Sequence, residues 1–195
     1  TYTRLLMILT EKEEASWEAV DKIYRQAVEK MPKEADFDYM VGRFFAASED
    51  AGQAIQYLEL ALQKLNTFGC SNRALLLAGN LKEAYDLLVR CCYEAGERQK
   101  CVTYAVAYLQ SDRYGMTVLS RLLLTLVSGK EGKEQEYPQI LQFFSELYDF
   151  SSLRDRLFLW KTAQQGGCED FASYVAEKLF TSQERTAIGL EEGKK

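Results

Sequence analysis

The chain has 195 residues, a formal charge of −5, five cysteines and no histidine. Acidic and basic side chains are interspersed, so there is no basic stripe of the kind that grips nucleic acid or an anionic membrane. The lack of histidine removes the commonest proton-transfer group and nitrogen ligand. No phosphate loop, nucleophile elbow or zinc helix occurs either, so the sequence implies no catalytic residue, no cofactor and no metal.

Two prolines, abundant Leu, Ala, Glu, Lys and Gln, and no sustained two-residue alternation predict a nearly all-helical chain. The apolar run from Leu5 to Leu9 is far too short to span a membrane and lacks a cleavage pattern. A cytosolic location is expected. The start on Thr1 in place of Met suggests a segment of a longer protein. Leu5, Leu6, Ile8 and Leu9 form the buried stripe of a first helix. Ser16 fits as the cap of the next, or the two run on through Glu14. That second helix, 17–30, carries Val20, Tyr24 and Ala27 on one face and stops before Pro32, which cannot continue it.

Residues 37–65 read as two amphipathic helices joined by a turn at Ser48, Glu49 and Asp50, too short for anything but an antiparallel hairpin. Val41, Gly42, Phe45, Ala54, Leu58 and Ala61 follow one another as aliphatic, small, aromatic, small, bulky and small. That pattern resembles the tetratricopeptide repeat. Asp38 and Asn66 depart from it, standing where the family carries Trp and Pro. Asp38 is therefore expected to be dispensable. With Asp36 it forms an Asp-x-Asp, a pattern sugar-nucleotide enzymes use to hold a metal, but its place at a helix start predicts capping instead.

Beyond Gly69 a long helical pattern covers 72–95. Tyr85, Leu88, Val89, Cys92, Gly96, Cys101, Ala105 and Tyr108 repeat the register less well. Phe45 and Cys92 lie 92 − 45 = 47 residues apart, more than the usual repeat of about 34, so a helix extension or a short turn is expected near Gly79. A third pair, 114–128 and 137–148, flanks the loop Gly129-Lys130-Glu131-Gly132, with Pro138 suited to a first helical turn. The last pair, 152–165 and 169–180, is divided by Gly166-Gly167, and Ser151 or Ser152 with Asp155 resembles a capping arrangement. The tail 186–195 is expected to fray. The resulting expectation is an all-α, right-handed α-solenoid of antiparallel pairs over residues 1–185, with eight or nine helices. A compact bundle is the competing architecture.

Cys70, Cys91, Cys92, Cys101 and Cys168 are odd in number and irregular in spacing, which implies buried structural thiols. In the solenoid, Tyr39, Arg43, Asp86, Arg90, Tyr93 and Arg121 would line the concave face, Arg121 beside Ser120. Arg43, Arg90 and Arg121 would stand in equivalent places and grip a protein or peptide partner that carries carboxylates or phosphates. Lys64 would lie exposed on the convex side. In the alternative, the arginines are solvated or paired with Asp86 and Glu83.

Two strings are distinctive, YDLL with CCYEAG at 85–88 and 91–96, and LYDFSSLRDRLF at 147–158. They resemble the helical region that follows the catalytic domain in bacterial family 2 glycosyltransferases. The resemblance implies a parent that transfers sugar from a nucleotide donor, with this region as an appended scaffold and none of the catalytic machinery. A free-standing adaptor that binds a peptide in its groove is the other reading.

Overall fold

The computed structural model describes residues 2–11, 15–68, 75–127 and 133–189. Among them the chain forms twelve α-helices, one 3-10 turn and no strand, so the protein is all-α. It divides into two compact units, Thr1–Tyr104 and Ala105–Lys195. Gly69, Cys70, the connector of residues 129–132 and the last six residues of the tail lie outside the described residues.

The first unit is built around α3. Its helices are α1 (Tyr2–Thr10), α2 (Trp17–Lys30), α3 (Ala35–Ala47), α4 (Ala51–Phe68), α5 (Leu75–Gly79), α6 (Leu81–Glu94) and the start of α7 (Arg98–Ser111). Ser16 caps α2, accepting from the Ala19 amide, and Met31 closes it on the Ala27 carbonyl ahead of Pro32. Every residue of α3 from Ala35 to Gly42 is buried, because α1, α2, α4, α5 and α6 all pack on it. A helix covered on all sides must be apolar or have its polar groups matched inside. The hairpin with α4 depends on small residues. A Cβ at Gly42 would lie 2.7 Å from Leu58 Cγ, and Ala54, Leu58 and Ala61 are wholly buried. Of the two alternatives near Gly79, the chain takes the turn. Asn80 separates α5 from α6 and donates its amide to the Leu76 carbonyl.

The second unit contains α8 (Met116–Val127), the 3-10 turn Lys133–Glu136, α9 (Tyr137–Ser145), α10 (Leu153–Gln165), α11 (Glu169–Leu179) and α12 (Ser182–Ala187). Pro138 sits in the first turn of α9, and Ser152 caps α10 by accepting from the Asp155 amide. The start of the tail departs from expectation. Thr181 and Glu184 form a capping box that starts α12, and Arg156 grips Glu184 with two hydrogen bonds of 2.8 and 3.0 Å. The Arg156 hydrogen bonds, with the Thr181 amide, hold the Glu184 carboxyl down at about 2. This helix and the separate α5 help raise the count above eight or nine.

Three hairpins share one connection. α3 to α4, α6 to α7 and α10 to α11 are each linked by three residues, the middle one left-handed: Glu49 at φ 60°, Gly96 at 73° and Gly167 at 78°. The amide after each reaches back to the third-last helical residue, as Asp50 to Phe45, Glu97 to Cys92 and Cys168 to Ala163, at 2.8–3.0 Å. This is the Schellman closure, which satisfies carbonyls the helix leaves open. Glutamate has a Cβ and is strained where glycine is not. Gly96→Ala is therefore expected to lower stability by about 1 kcal/mol, and Glu49→Gly to raise it. Urea unfolding followed by circular dichroism would read both signs, and equal midpoints would refute the closure.

Candidate interaction surface

The Asp-x-Asp of α3 turns inward. Asp36 and Asp38 are 1% and 0% exposed, and neither caps its own helix. Asp36 accepts from the Leu77 and Leu76 amides at 2.9 and 3.4 Å, so it caps α5 from forty residues away in sequence. Burial lifts its carboxyl above the usual range, against the pull of those amides. Asp38 accepts from the Tyr24 hydroxyl at 2.7 Å and pairs with Lys64 Nζ at 2.6 Å. Burial, and then Asp38, push the Tyr24 phenol up. Two expectations are thereby corrected. Asp38 is not an idle departure from the repeat but a clamp joining α2, α3 and α4. Lys64 is not an exposed control position, since its side chain is only 12% exposed and spent on Asp38.

Tyr39 also leaves the expected surface. Its ring is wholly buried on α3, so it offers no contact area to a partner. The Arg43 guanidinium lies over that ring at 5.8 Å and pairs with Glu83 at 3.1 Å. That pairing is the alternative weighed for it. Arg90 donates to the Ala46 carbonyl at 3.0 Å, tying α6 to the end of α3. With Glu94 and Glu49 it lines an open cleft of about 480 Å³ beside Ala46 and Ala47. Asp86 is half-buried on the same helix, while Tyr93 is 40% exposed. The first unit thus brings Arg43 and Arg90 to the α3–α6 side, and Tyr93 follows Arg90 by three residues on α6. Arg121 belongs to the second unit, where it lines a cleft of its own with Ser120. The three arginines do not share one kind of environment.

The string at 147–158 is a structural knot. Asp155, 2% exposed, accepts from the Tyr114 hydroxyl at 2.6 Å and the Asp149 amide at 2.9 Å, with Arg113 Nη1 3.6 Å away. Arg113 donates in turn to the Leu147 carbonyl, and Tyr148 donates to the Arg113 carbonyl. Asp149 accepts from the Ser151 amide and hydroxyl, closing the turn ahead of α10. The sequence shows Asp155 only as a possible cap. Its long-range partners Tyr114 and Arg113 lie some forty residues earlier, and no local pattern joins them.

Cys91, Cys92, Cys101 and Cys168 are buried thiols, none of them in a disulfide. Burial pushes the Cys92 thiol up to about 12, and Cys101 donates weakly to the Val89 carbonyl. A reactive thiol needs the opposite shift. Comparison with protein families, curated proteins and solved structures finds no match for this chain. All three buried carboxylates of the described residues are therefore read from geometry alone, and that geometry is structural. Asp38→Ala should strand Lys64 and cost about 3 kcal/mol or more, whereas Asp21→Ala, which removes only an exposed pair with Arg25, should leave urea unfolding unchanged.

Proposed function

We propose that this chain is a non-catalytic helical scaffold that holds a protein or peptide partner. The observation that carries the reading is the assignment of Asp36, Asp38 and Asp155. Each buried carboxylate is committed to donors on another element and is at most 2% exposed, which leaves it engaged in holding helices together and not in moving a proton. What remains exposed is suited to recognition. Tyr93 gives rigid amphipathic area, and the Arg43–Glu83 pair, about two fifths exposed on each side chain, is weak enough to be exchanged for a partner's carboxylate.

The three hairpins with one closure support a repeat of tetratricopeptide type, and hence a solenoid, as the finer form of the reading. The likeness of the two strings to the region beyond a bacterial family 2 catalytic domain supports a place in a sugar-transfer enzyme, positioning an acceptor or a second protein. The knot around Asp155 favours the alternative, a free-standing adaptor, because it accounts for the second string without any sugar chemistry. A nucleotide-sugar catalytic domain in the same open reading frame would select the first.

The test is fluorescence anisotropy with labelled acidic peptides of varied sequence. Affinity should fall with salt, and Arg43→Gln and Tyr93→Ala should each weaken it about threefold to tenfold with helicity unchanged. Failure of every acidic peptide to bind, or binding indifferent to both substitutions, would sink the reading.

A further inference from the structure

The first unit holds a helix face that the scaffold reading does not use. α1 lays Leu6 into the core, with Tyr2, Met7 and Leu9 packed against the same cluster. Arg4, Leu5, Ile8 and Glu11 are its exposed residues, and Glu11 extends the helical pattern because its amide donates to the Met7 carbonyl at 3.2 Å. Leu5 and Ile8, expected from the sequence to lie in the buried stripe, are 48% and 46% exposed. A single exposed leucine is ordinary. Of the seven large apolar side chains exposed among the described residues, however, these are the two that one helix sets a turn apart, where they make one patch.

The charges at the ends of that patch are placed against their own helix. A helix favours anions at its N-terminus and cations at its C-terminus. α2, α11 and α12 follow the rule, with acid in the first turn and base in the last. α1 reverses it, with Arg4 in its first turn and Glu11 directly after its last residue. Neither side chain has a hydrogen bond or ion pair to the described residues, so nothing within the fold accounts for the reversal.

A second copy of the chain answers both features. About a two-fold axis perpendicular to α1 the two helices run antiparallel, and residues equidistant from the axis face each other. Arg4 and Glu11 lie about two turns apart with Leu5 and Ile8 between them, and the centres of the two pairs differ by only about 1.5 Å along the helix. One axis therefore serves both, setting Leu5 on the copy's Ile8 and Arg4 opposite the copy's Glu11. Each arginine then stands at the C-terminal end of the other helix and each glutamate at its N-terminal end, where the dipole favours them. A parallel arrangement would set arginine on arginine and glutamate on glutamate, so the charges select the antiparallel one.

We propose that α1 is a self-association surface on which a second copy of this chain docks antiparallel, through Leu5 and Ile8, with Arg4 and Glu11 paired at both ends. The contact is one short helix from each copy, so the dimer is weak. The test is sedimentation equilibrium of the intact chain from about 10 μM to about 1 mM, where such a contact would form. The mean mass should rise toward that of two chains, and Ile8→Ser should abolish the rise. Arg4→Glu and Glu11→Arg should each weaken association roughly tenfold, since like charges then meet at both ends, and the double reversal should restore it. Each single reversal improves the charge that α1 presents to its own dipole. The thermal midpoint of the dilute, monomeric chain should therefore stay level or rise, which separates lost pairing from a damaged helix. A chain that stays monomeric throughout, including one that instead binds lipid vesicles, would overturn the proposal. Association that survives Ile8→Ser, that ignores the single reversals, or that the double reversal fails to restore would do so as well.

Discussion

A carboxylate that leaves water must be met by donors, and the architecture of both units follows from how three aspartates meet that demand. Asp38 gathers Tyr24 of α2 and Lys64 of α4 onto α3, and Asp36 two residues earlier takes the open amides of α5. In the second unit Asp155 draws the turn before α8 and the turn before α10 to the start of its own helix. Hydrophobic burial supplies most of the driving force but little direction. The paired carboxylates fix which helix lies against which.

A second constraint acts at the helix ends. Three hairpins close through a left-handed residue followed by an amide that returns to the helix, and the three-residue link turns each pair antiparallel. Glycine fills that position twice. Glu49 fills it once, and its neighbour Asp50 caps α4 by accepting from the Gln53 amide. The strain at Glu49 is thus held between two closures that the sequence places side by side.

Helix positions were legible because period and punctuation agree. Residues 17–30 match α2 at both ends, the turn at 48–50 is where Ser48, Glu49 and Asp50 place it, and the Gly42–Leu58 contact follows from a small residue facing a large one. The candidate surface was less legible. Tyr39 reads as exposed only if α3 has one buried face, but five helices cover it. Lys64 and Asp38 are 26 residues apart (64 − 38 = 26), and nothing in either neighbourhood announces a buried pair. The α12 capping box has a signal of its own, because Thr181 and Glu184 have the required spacing.

If the buried aspartates organise the helices, the amides they accept must be shielded from water by those bonds. Native-state hydrogen exchange at Leu77 and Asp149 measures this directly, because neither amide lies in the interior of a long helix. Slow exchange is predicted at both, with protection lost at Leu77 in Asp36→Ala and at Asp149 in Asp155→Ala. Rapid exchange at these amides in the unaltered chain, or protection that survives loss of the aspartate, would contradict the account.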